Sequence, residues 1–153
     1  MSAREVFLAD PLATEALAAA LAASQPARAV VFLEGDLGAG KSSLARAWLR
    51  ALGVRGAIKS PTYTLIERYP LPAGEAAHLD LYRLAGAAEL DFLGLDELAA
   101  EATLWLVEWP DRGQGGLPAP DLRVRLAVEG VGRRARLEAS SPEGEAWLAG
   151  AAI

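Results

Sequence analysis

Along the chain, apolar and polar positions alternate with the period of a strand in some segments and of a helix in others, and these patterns predict its first elements. Residues 4–8 form a short strand-like run, and residues 29–33 form an apolar, β-prone run typical of a buried strand. Asp10 and the proline after it provide an N-cap and a first-turn proline for a helix that extends to about residue 23. Apolar positions at helical spacing then predict a second helix, which ends at Gly53.

The second half of the chain contains mainly strands. Residues 64–69 and 76–81 predict two strands around a turn rich in proline, and residues 103–107 predict a buried strand. Residues 122–128 and 133–139 alternate on either side of a short turn, which predicts a hairpin. The remaining segments are two short helices in residues 86–102, a loop in residues 111–120, and a terminal helix that Ser141 caps and that reaches Gly150. This order predicts an α/β fold, a three-layer sandwich with a mixed parallel and antiparallel sheet.

Composition narrows the class of protein. With 153 residues, of which 52% are apolar, we expect one domain over residues 1–153 with enough core to fold alone. The absence of cysteine excludes disulfides and thiolate metal sites. No apolar run reaches the length of a membrane span and no signal-peptide pattern is present, so the expected location is the cytoplasm. A net charge of −5 argues against a protein that binds nucleic acid by electrostatics alone.

A phosphate-binding motif follows the first buried strand. Residues 35–42 read Gly-Asp-Leu-Gly-Ala-Gly-Lys-Ser and satisfy G-x-x-x-x-G-K-[ST], the P-loop, so the predicted fold is P-loop NTPase-like. Its glycines let backbone N–H groups turn toward phosphate oxygens, and the next helix adds the positive end of its dipole. Lys41 provides a compact charge for the β- and γ-phosphates, and the Ser42 hydroxyl is placed to bind Mg²⁺. The chain has no asparagine, so the Asn-Lys-x-Asp signature of guanine-specific GTPases is absent and ATP is the expected nucleotide.

Hydrolysis also needs a carboxylate, which usually ends a buried strand. Glu108 follows four apolar residues, 104–107, and is the first candidate, either as a metal ligand or as the group that activates water. Asp80 follows a weaker run, 76–79, and is the second. For both, an ordinary position at a strand end is the alternative.

Hydroxyl side chains lie on a proline-containing loop between the second helix and the next strand. Ser60, Thr62 and Thr64 occupy the position of the switch loops that sense the γ-phosphate in nucleotide hydrolases, with ordinary turn chemistry as the alternative. His78 is the only histidine, and the residues alone favour a structural role for it.

Four motifs together resemble the TsaE (YjeE) family. They are the P-loop octamer, Ser-Pro-Thr-Tyr-Thr-Leu at residues 60–65, His-Leu-Asp-Leu-Tyr-Arg at residues 78–83, and Glu-Trp-Pro-Asp-Arg at residues 108–112. The resemblance covers residues 4–112 and rests beyond them on hairpin topology alone. Ser42 stands where the family more often has threonine, and Asp111 stands where it more often has glutamate; both changes keep the functional group.

The resemblance implies a small bacterial ATPase that is needed to make threonylcarbamoyladenosine beside the tRNA anticodon. It implies ATP and Mg²⁺ as cofactors, slow hydrolysis by the protein alone, and docking on a TsaB–TsaD-like heterodimer that performs the transfer itself. Contact with tRNA would be indirect, and the ATPase cycle would reset the complex.

The resemblance also implies a role for particular residues. The residues that it places at the phosphates are Gly38, Ala39, Gly40, Lys41, Ser42 and Ser43, with Ser42 and Glu108 as Mg²⁺ ligands, Thr62 and Thr64 in the switch-like motif, Asp80 as a second essential acid and Trp109 beside the site. The catalytic candidates are therefore Lys41, Asp80, Glu108 and Thr64. We place the adenine pocket between residues 10–14 and the turn at residues 129–133, with Arg133 as a cofactor-binding residue.

Arginines suggest two further hypotheses. Arg123, Arg125, Arg134 and Arg136 fall on one face of the C-terminal hairpin, as a basic stripe that is either a solvated outer face or a docking surface for an acidic partner or tRNA. Arg83 and Arg112 are the candidates for an arginine finger, but slow solitary hydrolysis would place the missing charge on a partner.

Two other functions are compatible with a P-loop. A small-molecule kinase needs an arginine-bearing lid, and the loop at residues 111–120 has a single arginine. A non-hydrolysing ATP sensor would not need the acids Glu108 and Asp80.

Overall fold

The structure is a computed structural model, and it describes residues 2–153 except for the side chain of Ala87. Its strands are β1 (Ala3–Leu8), β2 (Ala29–Glu34), β3 (Ile66–Leu71), β4 (Gly74–Asp80), β5 (Leu104–Glu108), β6 (Leu122–Glu129) and β7 (Gly132–Ala139). Its α-helices are α1 (Pro11–Ser24), α2 (Lys41–Ala51), α3 (Leu95–Glu101) and α4 (Pro142–Gly150), and short 3₁₀ helices cover Ala87–Leu93 and Pro110–Gly113. Asp10 and Ser141 cap α1 and α4 through their side chains, as predicted.

All seven strands form one sheet in the order β1-β7-β6-β2-β5-β4-β3. The four central strands β6, β2, β5 and β4 run parallel, whereas β1, β7 and β3 pair antiparallel with their neighbours. The predicted mixed sheet and both predicted hairpins are therefore confirmed. Because β2, β4 and β5 are parallel, their carboxyl ends lie side by side at one end of the strands, and the P-loop begins there.

Helices cover the two faces of the sheet unequally. Helices α1, α2 and α4 pack on one face, where Trp48 of α2 and Trp147 of α4 meet edge to face with ring centroids 5.7 Å apart. On the other face, α3 and the first 3₁₀ helix pack against β4 and β5 through a smaller cluster that includes Leu98 and Trp105. The three-layer sandwich is confirmed. Among the described residues, no helix combines the length and apolar character that crossing a bilayer requires.

The predicted strand at residues 64–69 is shifted toward the C-terminus. Pro61 accepts a hydrogen bond from the backbone N–H of Leu65, so residues 61–65 form a turn and β3 begins at Ile66. Leu65 has a left-handed backbone (φ 68°), which ends that turn. The strand continues through Pro70, because β3 lies at the edge of the sheet, where a missing N–H donor is tolerated.

The four arginines of the C-terminal hairpin share one face, as predicted, but that face is not basic. Each guanidinium lies near a glutamate: Arg123 at 3.0 Å from Glu34, Arg125 at 3.2 Å and Arg136 at 3.5 Å from Glu138, and Arg134 at 2.8 Å from Glu129. Glu5 of β1 adds a further carboxylate 3.7 Å from Arg136. The face is balanced in charge, which favours the interpretation as a solvated outer face.

Candidate functional site

The P-loop connects β2 to α2 at the carboxyl ends of the parallel strands. Gly40, the N-cap of α2, has φ 107°, a conformation that residues with a Cβ rarely adopt. Gly35 has no room for a side chain, because a Cβ there would clash with the backbone oxygen of Leu126. These glycines turn the backbone so that the N-terminus of α2, with its free N–H groups, faces the cleft.

Lys41 is 4% exposed and lies at the base of the loop. Its ammonium donates hydrogen bonds to the backbone oxygens of Gly35 and Asp36 and lies 4.4 Å from the ring centroid of Trp109. Burial lowers the pKa of Lys41 below its usual value, although Glu108, Asp80 and Asp36 act in the opposite direction. A cation in this position has few water molecules to lose when it meets an anion, which suits it to binding phosphate.

Ser42 and Glu108 meet across the cleft. The Ser42 hydroxyl, in the first turn of α2, lies 3.0 Å from Oε1 and 3.1 Å from Oε2 of Glu108, at the end of β5. Glu108 is 2% exposed, so it is not an ordinary surface glutamate at a strand end. The structure thus brings together the two residues that the sequence predicts as metal ligands.

These two residues form an oxygen donor set that fits Mg²⁺. A hydroxyl and a carboxylate are hard ligands, and Mg²⁺ is usually held by one or two such protein groups together with substrate phosphates. Within the described residues, no group of three or more His, Cys, Asp or Glu side chains is arranged to hold a metal ion. A hydroxyl with one carboxylate is thus the kind of partial donor set that Mg²⁺ shares with substrate phosphates.

The alternation of side chains along β4 and β5 determines which groups line the site. Asp80 pairs with Glu108 and His78 pairs with Leu106 in the parallel register of these strands. Residues two apart on a strand face the same side, so His78, Asp80 and Glu108 all point to the face covered by α2. The intervening residues Leu79 and Val107 belong to the cluster on the opposite face.

Asp80 is 7% exposed and accepts a hydrogen bond from the backbone N–H of Tyr82 at 3.0 Å. Burial raises the pKa of its carboxyl above the usual value, and the nearby Glu108 raises it further. The N–H of Tyr82, together with His78 and Lys41, opposes this shift. Two acids in one site with different surroundings are a common basis for a division of catalytic roles.

His78 makes the contact that sequence reasoning missed. Its Nε2 lies 2.6 Å from Oε2 of Glu108, and the imidazole is 1% exposed. Its place two residues before Asp80, on a strand parallel to the one that carries Glu108, was the available signal. Without the order of the strands, however, the sequence does not show that β4 and β5 are neighbours.

A cleft of about 470 Å³ collects most of the predicted site residues. Those that line it are Gly38, Gly40, Lys41, Ser42, Ser43, Thr62, Asp80, Glu108, Trp109 and Arg133. Leu37, Tyr82 and Arg83 also line it. Ala39 is 1% exposed and packs into the main core beneath the loop.

Thr64 does not line the cleft. Its hydroxyl donates to Oε1 of Glu67 at 3.1 Å on the exposed turn before β3, whereas Thr62 hydrogen-bonds Ser60 at 2.7 Å beside the cleft. The turn at residues 61–65 separates the two hydroxyls. Thr62 therefore lines the cleft and Thr64 does not, so the predicted catalytic role of Thr64 has no geometric support.

Of the two candidate arginine fingers, only Arg83 lines the cleft. Its guanidinium lies 4.7 Å from the ring centroid of Tyr63, while that of Arg112 lies 5.2 Å from the ring centroid of Tyr82.

Trp109, which follows Glu108, has a left-handed backbone (φ 55°), and this turns the chain sharply so that its ring lies over Lys41.

A second cavity of about 550 Å³ continues from the P-loop along α1. Asp10, Pro11 and Thr14 form one wall and residues 131–133 form another, and Gly40 and Ser43 join it to the phosphate cleft. Arg133 lines both spaces and donates to the backbone oxygen of Gly38 at 3.2 Å. The cavity lies where the sequence predicts the adenine pocket.

Comparisons with known proteins show which family this chain is similar to. A family model described as "Threonylcarbamoyl adenosine biosynthesis protein TsaE" matches residues 8–136. The protein of Haemophilus influenzae named "tRNA threonylcarbamoyladenosine biosynthesis protein TsaE" is 45% identical over 97 residues, which cover 63% of this chain and 61% of that protein. The Bacillus subtilis protein of the same name is 34% identical over 125 residues, covering 82% of this chain and 78% of that protein.

A solved structure shows the same fold. The crystal structure of YdiB from Bacillus subtilis superposes with a TM-score of 0.81 at 27% identity, and the match covers 97% of this chain and 93% of that one.

Proposed function

Because this chain belongs to the TsaE family, we propose that it is a nucleotide-dependent subunit required for threonylcarbamoyladenosine modification of tRNA. The observation that carries the proposal is the contact between Ser42 and Glu108 beside the buried ammonium of Lys41. This combination provides an anion site and a carboxylate for a divalent cation in the same cleft. A P-loop that served only as a structural turn would need neither.

ATP is the proposed nucleotide. Its triphosphate would occupy the cleft at the N-terminus of α2, and its adenosine would occupy the adjoining cavity between α1 and residues 131–133. Gly40 and Ser43 border both spaces, so a single molecule can extend from one into the other. Arg133, which lines both, would contact the phosphates or the ribose.

Each residue of the cleft has a proposed task. The P-loop backbone and Lys41 would bind the phosphates, and Ser42 and Glu108 would hold Mg²⁺, which would supply neutralisation of the phosphate charge. Asp80, with its raised pKa and its position beside Glu108, orients the attacking water. Thr62 stands at the open side, where it can respond to the γ-phosphate.

The hydrolysis is proposed to be slow until a partner completes the site. Of the two candidate arginine fingers, Arg83 and Arg112, only Arg83 lines the cleft, and its guanidinium lies against the ring of Tyr63. A TsaB–TsaD-like heterodimer would supply the missing contacts and would perform the transfer of the threonylcarbamoyl group itself. Residues 1–153 would act as one ATPase domain in the cytoplasm, with tRNA contacted only through the complex.

The decisive experiment is a reconstitution of tRNA modification with the heterodimer and either this protein, its Lys41→Ala variant, or neither. We expect modified nucleoside above background only with the unaltered protein, in an amount that corresponds to more than one turnover of the complex. Equal modification in all three reactions would contradict the proposal.

ATPase rates separate this function from a small-molecule kinase, which the family match does not support. We expect phosphate release that depends on Mg²⁺ and increases when the heterodimer is added. Equal rates with and without the heterodimer would refute control by partners, and phosphate found on a small acceptor instead of water would support the kinase.

A further inference from the structure

His78 is buried in a position where an unpartnered imidazole is costly, and its ring is in direct contact with the carboxylate of Glu108. Its side chain is 1% exposed, and Nε2 lies 2.6 Å from Oε2 of Glu108, whose side chain is 3% exposed. Nδ1 has no hydrogen-bond partner among residues 2–153. A histidine that served only to fill the core would gain nothing from this arrangement, since an apolar side chain of similar size would avoid the desolvation of both nitrogens.

The contact determines the position of the proton on the ring. A carboxylate only accepts hydrogen bonds, so the proton between the two groups belongs to Nε2 of His78. A second proton on Nδ1 would leave a buried donor without an acceptor, whereas a bare Nδ1 leaves only an acceptor unpaired. The geometry therefore selects the tautomer that carries its proton on Nε2.

The contact also determines how Glu108 presents its two oxygens. Oε2 accepts from Nε2 of His78 at 2.6 Å, and the single hydroxyl of Ser42 lies 3.0 Å from Oε1 and 3.1 Å from Oε2. Glutamate has three rotatable side-chain bonds, and each must be restrained for the carboxylate to remain at one point in the cleft. The hydroxyl of Ser42 can rotate, but the imidazole sits on strand β4, two register positions from the Asp80–Glu108 pair.

We propose that His78 is a positioning residue for Glu108: its Nε2–H hydrogen bond to Oε2 holds the carboxylate against Ser42 at the phosphate cleft. The inference rests on the proposed function, because it concerns the carboxylate assigned to Mg²⁺. Hydrogen bonds of this kind from a buried neighbour orient metal ligands, and their loss reduces metal affinity or activity by about 10- to 100-fold.

Three variants test the proposal. His78→Gln keeps an N–H donor near the position of Nε2, and His78→Leu removes it at similar volume. Leu98→Ala is the matched control for stability, because Leu98 is 1% exposed in α3, on the face of the sheet opposite to Glu108. With all three folded, we expect His78→Leu to lower kcat about tenfold and raise the Mg²⁺ requirement with little change in the KM for ATP. His78→Gln should recover most of both, and Leu98→Ala should keep wild-type kinetics despite a lower melting temperature.

Two measurements do not depend on hydrolysis. The first is the affinity of Mn²⁺, followed by electron paramagnetic resonance, for protein saturated with a non-hydrolysable ATP analogue; it should fall in His78→Leu and recover in His78→Gln. The second uses ¹⁵N-labelled histidine in the nucleotide-free wild-type protein. Because the chain has one histidine, its spectrum reports His78 alone, and we expect a proton-bearing Nε2 and a bare Nδ1.

The outcomes separate this inference from the proposed function. A proton on Nδ1 with a bare Nε2 would overturn the inference, as would wild-type Mn²⁺ affinity in His78→Leu, equal impairment of the Gln and Leu variants, or an equal loss in Leu98→Ala. If the wild-type protein showed no Mg²⁺-dependent hydrolysis with or without partners, the proposed function would fail, and the tautomer and the Mn²⁺ affinities would still decide the role of His78.

Discussion

The hydroxyl of Ser42 lies 3.0 Å from Oε1 of Glu108, although 66 positions separate the two residues along the chain. One belongs to the first turn of α2 and the other to the last position of β5. The parallel pairing of β2 with β5 brings them together, because the P-loop leaves the end of β2 at the point where β5 ends. A phosphate site and an acid are thus combined by sheet topology.

The first prediction concerns the charge of Glu108. Glu108→Gln keeps the size of the side chain and an oxygen for Ser42 but removes the negative charge from the proposed metal site. We expect at least about a hundredfold loss of kcat with nucleotide binding retained, since the charge is needed mainly in the transition state. Steady-state ATPase kinetics and equilibrium titration of ATP in excess EDTA measure the two effects. A variant with near wild-type kcat would rule out the assigned role.

The second prediction compares two neighbouring arginines. Arg133 lines both cavities and donates to Gly38, whereas Arg134 points to the opposite face of the sheet and pairs with Glu129 at 2.8 Å. Loss of one charge-assisted hydrogen bond costs about 1.5 kcal/mol, so Arg133→Ala should raise the Kd for ATP about tenfold. Arg134→Ala should leave the Kd unchanged. Isothermal titration calorimetry decides, and similar Kd values for the two variants would show that Arg133 makes no contact with ATP.

The third prediction concerns the cost of burying Asp80. Its pKa is raised above the ordinary 3.8, so between these two values the folded protein binds more protons than the unfolded chain. The free energy of unfolding therefore falls as the pH rises through this window and stays lower above it. Asp80→Asn has no such titration and keeps the acceptor for the N–H of Tyr82.

We therefore expect Asp80→Asn to unfold like the wild type below the window and to be more stable at neutral pH. The gain should be about 1 kcal/mol, or roughly 3 °C in melting temperature, together with a loss of ATPase activity. Thermal denaturation of nucleotide-free protein at several pH values measures it. A stability difference that does not grow with pH would contradict the assigned cost.

The fourth prediction links nucleotide binding to stability. A ligand at 100 times its Kd adds about 2.7 kcal/mol to the free energy of unfolding, so ATP with Mg²⁺ should raise the melting temperature by several degrees. Lys41→Ala should lose this shift, because Lys41 is the buried cation at the base of the P-loop. Repeating the scans in EDTA tests the contribution of Mg²⁺. An unchanged shift in Lys41→Ala would place the nucleotide elsewhere.

Two features of the site were within reach of the sequence because they depend on local backbone geometry. The octamer at residues 35–42 carries its glycines and Lys41 on adjacent positions, so the turn of the chain and the start of α2 are enough to form the anion site. Likewise, four apolar residues followed by Glu108 place an acid at the end of a buried strand in any parallel sheet. The arginines of β6 and β7 could also be placed on one face from the sequence, because residues two apart on a strand face the same side.

What depends on contacts between distant segments was decided only by the tertiary structure. The partnership of His78 with Glu108 requires β4 beside β5 in one register, and the contact of Arg133 with Gly38 requires the hairpin tip to reach the P-loop. The glutamates that neutralise the arginine face come from four separate strands, β1, β2, β6 and β7. Residue types along one strand define what that strand can contribute, but the order and register of neighbouring strands determine which of those groups meet.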